Sequence, residues 1–484
     1  EAIKEAECYL RSKENSKPKV TTGMFDNCDP LPAEMRKNFK FTDEEIRYLS
    51  GVGEMFKNDK SVNFEIMEGP MPPAPIQDEN RFICFRVEGK EYSLRIVSKE
   101  EMQRVKEEVN KNSKYTYDWF KEESGDHNWV LYNTDMYEIS NCGGDRYLHY
   151  IELSGLLPMV PINATSCHHM FYNCCNMEEL DLKHFNTENI LTMEGMFFKC
   201  SKISKLDLRL FNTAKVTNML DMFAKCYNLE ELDLSSFSTV NVIYMINMFK
   251  DCESLKTLNL SSFNTENVTD MHSMFKGCTF LEQLDLSSFD TGNVANMSGM
   301  FKSCRYLKHL NLSSFNTENV VDMSDMFWEC DSLEQLDLSS FCTINVEFMN
   351  NMFRVCSRLK YLDLSSFDTS DVINMLSMFQ GCISLENINL SSFVTTKVKT
   401  MEAMFKDCKE LTTLNLRNFK TDRLEEMSEI FAGCSKLTIL NLNNFSTANV
   451  KYKSDVFKGC NALTTVRVGN HFSLDLERRL KKNI

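Results

Sequence analysis

Apolar side chains along two-thirds of this chain fall on a fixed grid. Cysteines stand at 174, 200, 226, 252, 278, 304, 330, 356, 382, 408, 434 and 460, and every interval is 26 residues. Leu255 to Leu281 is a clean copy of the unit, L-x-x-L-[DN]-L-S-S-F-N-T-x-N-V-x-x-M-x-x-M-F-x-x-C. Leu258 and Leu260 alternate with Asn259, the period of a short strand with one buried face. Val268, Met271, Met274, Phe275 and Cys278 follow at offsets 0, 3, 6, 7 and 10, which predicts one stripe of a short helix. Asn267 is its predicted N-cap, and Ser261, Ser262, Asn264 and Thr265 form the turn between the elements.

A repeat of this length signals an array in which each unit buries its faces only by stacking on its neighbours. Strands stack about 4.8 Å apart, whereas helices need about 8–10 Å. The expected fold is therefore an α/β solenoid of leucine-rich-repeat type that curves, with short parallel strands on a concave wall and short helices outside. A small α+β domain is expected before it. The expected divisions are residues 1–150 (an N-terminal α+β domain or enlarged cap), 151–468 (the solenoid) and 469–484 (a C-terminal capping helix).

The repeated core L-x-x-L-D-L-S-S-F-N-T-x-N-V with M-x-x-M-F-x-x-C resembles the BspA-like class of leucine-rich repeat proteins, over roughly residues 151–468. That resemblance implies a non-catalytic role in adhesion or protein binding, and a location at the cell surface or outside the cell. It supplies no catalytic residues. The C-terminus shows no wall-sorting or lipid-anchor pattern, unlike many surface members. With a reduced cysteine ladder and no visible signal, a cytoplasmic location is the alternative. Glu1 in place of an initiator Met fits a processed product.

Charge and cysteine usage narrow the classes. A net charge of −15 disfavours nucleic acid and anionic membrane surfaces as partners. No apolar run reaches the length of a membrane span. Of the 19 cysteines, 12 lie on the buried stripe, one per rung. Their parallel Cβ vectors suit packed, reduced thiols better than disulfides. Cys342 stands instead in the exposed turn and is the reactive exception. The two methionine columns hold 20 of the 29 methionines and read as core. Cys167, His168 and His169, with Cys174 and Cys175, resemble a metal-ligand cluster. Cys167 and Cys174 occupy core columns, however, so no metal and no cofactor is expected.

Outside the array, Thr42-Asp43-Glu44-Glu45 reads as a capping box and residues 69–75, with Pro70, Pro72, Pro73 and Pro75, as a stiff extended connector. Phe82 to Val87 and Tyr92 to Ile96 read as a hairpin turning at Glu88-Gly89-Lys90. Met102, Val105 and Val109 line a helix, and residues 130–132 and 137–139 read as strands. Ile151 to Cys174 is a degenerate first rung disturbed by Pro158 and Pro161. Residues 473–477 open the C-terminal helix.

Function is expected on the strand wall. The residue after the first leucine alternates Glu230, Lys256, Glu282, Lys308, Glu334, Lys360, Glu386, a charge ladder that opposes register slips. The middle column alternates Asp233, Asn259, Asp285, Asn311, Asp337, until Asp363 breaks the order. A variable column runs beside it. The candidate ligand-binding residues are Asp233, Asp285, His309, Gln335, Asp337, Tyr361 and Asp363, facing a protein partner with a cationic surface. The alternative is an enzyme or effector in residues 1–150, with the repeats as targeting module. No phosphate-binding glycine loop, nucleophile elbow or zinc spacing supports it there.

Overall fold

The structure, a computed structural model, describes residues 82–87, 90–97, 159–161 and 165–472. The chain divides into two compact units, Glu1–Asn80 and Arg81–Ile484, and all the described residues lie in the second. The expected capping box, the proline connector, the helix at 102–109, the strands at 130–139 and the C-terminal helix lie outside the described residues. No described helix is long and apolar enough to cross a membrane.

The array is a solenoid of 26-residue rungs. One wall carries the short strands β5 (Glu231–Asp233), β6 (Thr257–Asn259), β7 (Gln283–Leu284), β8 (His309–Leu310), β9 (Tyr361–Asp363), β10 (Asn387–Asn389), β11 (Thr413–Asn415), β12 (Ile439–Leu442) and β13 (Thr465–Val468). Wherever these pair they are parallel, each residue facing its equivalent 26 residues on. Pairing groups them as β5–β6, β7–β8, β9–β10 and β11–β12–β13. The charge rhythm matches this grouping only in part. Lys256 Nζ meets Glu230 at 2.9 Å across β5–β6, and Lys308 Nζ meets Glu282 at 2.8 Å across β7–β8. Glu334 instead meets Arg358, at 4.0 Å. The ladder thus works in couples and not as an unbroken chain.

The helices expected in each rung are not formed among the described residues. Among the described residues the opposite wall is a succession of turns joined by parallel bridges, Ser166 to Thr192 to Asn218 and onward to Tyr452. The backbone shows why. Met271, Ser273, Phe275 and Gly277 donate their N–H groups to Asn296, Ser298, Met300 and Lys302 of the next rung, while Met274, Lys276 and Cys278 donate three residues back within their own rung. Successive amides therefore alternate between two rungs. Ser273 (φ 54) and Gly277 (φ 75) take the left-handed conformation that makes this alternation possible. A helix would return these amides to carbonyls of its own segment and leave no ladder between rungs. With both walls laddered, the helix-based reason for curvature falls away. Asn267 caps no helix, and its Nδ2 donates to Val240 O at 2.8 Å.

The core is built of columns. Met271, Met274, Phe275, Cys278, Leu281 and Val268 are buried, as are their equivalents in most rungs. Phe275 stacks on Phe249 and Phe301 with ring centroids 5.6 and 5.8 Å away. The cysteine column is free and buried, and burial pushes the Cys304 thiol up to about 12. Each thiol from Cys200 to Cys460 also donates to a backbone carbonyl of the preceding rung, as Cys278 Sγ does to Phe249 O at 3.2 Å. Cys342 is exposed, as its turn position implies. A threonine column is equally buried: Thr291 Oγ1 donates to Asn316 O at 2.8 Å and accepts Asn316 N–H at 2.9 Å.

The expected hairpin is present. β1 (Phe82–Val87) pairs antiparallel with β2 (Lys90–Val97), and β2 pairs in parallel with β3 (Met159–Pro161). β1 also pairs antiparallel with β4 (Met177–Asp181), the first strand of the array. The hairpin thereby supplies β4 with a hydrogen-bonded neighbour, a role that protects a sheet edge.

Candidate functional site: the strand wall

All seven candidate residues sit on the strand wall and are exposed. His309 opens β8, while Tyr361 and Asp363 bound β9. Asp233 ends β5 and Asp285 directly follows β7. Gln335 and Asp337 lie in a rung without a hydrogen-bonded strand among the named ones.

The Asp/Asn column has a scaffold role that its sequence does not announce. Each side-chain oxygen accepts the amide two residues on and ends the strand in an Asx turn. Ser235 N donates to Asp233 Oδ1 at 3.0 Å, Ser287 N to Asp285 at 3.0 Å, Ser339 N to Asp337 at 2.9 Å and Ser365 N to Asp363 at 3.0 Å. Asparagine serves equally, since Ser313 N donates to Asn311 Oδ1 at 3.0 Å. The turn thus needs the oxygen and not the charge. Those amide bonds hold Asp233, Asp285, Asp337 and Asp363 below the usual carboxylate range, so all four are ionised at neutral pH.

Charge balance separates the column into two parts. Arg209 clasps Asp207 with bonds of 2.9 and 2.7 Å, and Lys183 meets Asp181 at 2.7 Å. Among the described residues no cation is paired with Asp285, Asp337 or Asp363. Asp233 and Asp363 instead accept amide groups from Asn259 and Asn389, at 3.0 and 2.9 Å. Tyr361 is 55% exposed, and its hydroxyl lies 3.4 Å from Asp363 Oδ2.

Residues 165–283, 246–361, 277–389 and 347–470 match the family described as Mycoplasma protein of unknown function, DUF285. The chain belongs to the DUF285 family. The repeats are of the BspA-like type that their motif resembles. Among solved structures this DUF285 chain is similar to a leucine rich cell surface protein from Faecalibacterium prausnitzii A2-165. Identity is 17% and the TM-score 0.40, over 68% of this chain and 83% of that one. It is also similar to a leucine-rich repeat protein from Bacteroides ovatus ATCC 8483, at 19% identity and a TM-score of 0.32, over 64% of this chain and 77% of that one. No curated protein matches it.

At the start of the DUF285 repeats, the metal-like cluster resolves differently from its sequence. Cys167 and Cys174 are buried in core columns, as expected. The histidines do not project from a helix; they are half-buried, and their rings stack at 3.9 Å. Burial, and then the neighbouring His168, draws His169 down to about 4. Glu194 of the next rung, which the local Cys/His motif does not include, lies 3.5 Å from His168 Nε2. Adding the 26-residue period to His168 finds it at once.

Proposed function

We propose that this chain is a non-catalytic binding protein that engages a protein partner with a cationic surface. Contact lies on the strand wall, through His309, Gln335 and Tyr361 with Asp233, Asp285, Asp337 and Asp363. The observation that carries this reading is the row of exposed carboxylates at Asp285, Asp337 and Asp363. Among the described residues none of the three has a paired cation, and each stands in a turn that asparagine would complete equally well. Of the three, only Asp337 and Asp363 stand on neighbouring rungs, where like charges about 5 Å apart repel by about 0.8 kcal/mol in water. Tyr361 adds an amphipathic ring of the kind that anchors interfaces. Adhesion is the setting that the family resemblance implies.

The test is capture of partner from lysate and culture medium by the intact chain carrying Tyr361→Ala with Asp337→Asn. Asparagine keeps the acceptor for Ser339 N–H, so the melting temperature should hold while capture weakens by about 10- to 30-fold. Because Asp233, Asp285, Asp337 and Asp363 are held below the usual carboxylate range, their share of capture should persist through mildly acid pH and be lost only when they protonate in stronger acid. A folded variant that captures at full strength would move the site off this wall.

A further inference from the structure

We propose that His168, His169 and Glu194 bind a divalent transition-metal ion, of which zinc is the best fit, and so tie the array's first described rung to its second. One ligand atom from each residue lies within 4.8 Å of the other two. The 3.5 Å between His168 Nε2 and Glu194 Oε1 is close to the edge of a tetrahedron with metal–ligand bonds of about 2.0–2.1 Å, which is about 3.4 Å. Two imidazoles and one carboxylate suit zinc and its neighbours in the first transition row; calcium and magnesium prefer all-oxygen sets. Water would complete the coordination.

Three features of the surroundings favour a ligand set over a simple ion pair. Asn218 Nδ2 donates to Glu194 Oε2 at 2.9 Å, the outer-shell contact that orients a ligating carboxylate. Gly195 admits the His169 ring: a Cβ there would stand 2.3 Å from His169 Cδ2 and 2.8 Å from Nε2. Most other rungs place a larger residue at this point, as Asp221, Asn247, Asp325 and Asn351 show. Finally, the wall accepts other residue types at all three positions. The column shared by His168 and Glu194 holds Leu220, Ile246 and Ser298 as well as His272 and Glu402, and the His169 column holds Ser273 and Ser377.

The test uses the full chain, stripped with chelator and with its accessible thiols alkylated, titrated with zinc alone and then with cobalt as a spectroscopic probe. The expected result is one equivalent bound at about micromolar affinity or tighter, with visible cobalt bands and a melting temperature that rises with zinc. Glu194→Gln should weaken binding about 100-fold, and His169→Ser should abolish it and the zinc-dependent rise. Ser273 and Ser377 already take the left-handed conformation of His169 (φ 54 and 53 against 55), so the serine variant should fold. If it does not, Glu194→Gln alone decides. Absence of stoichiometric binding overturns the proposal, as does wild-type affinity in the variants.

Discussion

Leu312→Asp is expected to break the array into two independently melting blocks. Leu312 is 1% exposed in a central rung, and a carboxylate there has neither water nor partner. Such burial costs about 4–5 kcal/mol or more unless the rung opens or the acid takes up a proton. Each rung bonds only to its neighbours, so opening one rung removes a face from both flanking rungs while leaving more distant ones stacked. Leu442 occupies the same column with 0% exposure but stands one rung from β13. Leu442→Asp should free only the last rungs and lower the main transition little. Hydrogen exchange should show protection lost on both sides of residue 312 in the first variant, and only beyond about residue 440 in the second. Equal loss of melting temperature in the two variants would contradict a one-dimensional stack.

The second large effect is expected at a polar residue. Thr291 is completely buried, and its hydroxyl serves both backbone groups of Asn316. Thr291→Val keeps the shape and leaves one N–H and one C=O without that partner. Unsatisfied buried groups cost about 1–3 kcal/mol each, so a loss of about 2–4 kcal/mol is expected for the pair. Thr291→Ser retains the hydroxyl and should recover most of it. Urea midpoints at unchanged slope measure this directly. A neutral valine variant would mean that water reaches Asn316 in place of the hydroxyl.

These two sites mark how far the sequence is legible. The core is legible because a 26-residue period puts one residue type on top of itself. The cysteine, methionine and leucine columns declare themselves buried by repetition, and the alternation around Asn259 declares a strand. The opposite wall misleads because Val268, Met271, Met274, Phe275 and Cys278 have the spacing of a helical stripe. Alternating right- and left-handed turns bury the same positions. The contrary signal lies in two other columns. Gly195, Asp221, Asn247, Ser273 and Gly299 share one, and Asp251, Gly277, Ser303, Gly381 and Gly433 share the other. Glycine, Asn and Asp concentrate where φ is positive, and they are poor choices for helix interiors. Thr291 looks like an ordinary turn residue, since its partner lies 25 residues away. On the strand wall the exposed columns are legible, but the Asx turns are not. They account for an Asn or Asp at each place, and amides from Asn259 and Asn389 also engage Asp233 and Asp363; the choice of Asp at 285 and 337 is what the proposed partner would explain.

That choice is best tested by placing one photo-reactive phenylalanine analogue at Tyr361 and, separately, at Tyr244. Both tyrosines are exposed, at 55% and 46%, and Tyr244 belongs to the opposite, bridged wall. Irradiation of the intact chain with its captured partner should give a covalent adduct from position 361 and none from 244. Free polylysine should compete the adduct away, as expected for a cationic surface held by Asp337 and Asp363. An adduct from position 244 with none from 361, at undiminished capture, would contradict binding on the strand wall.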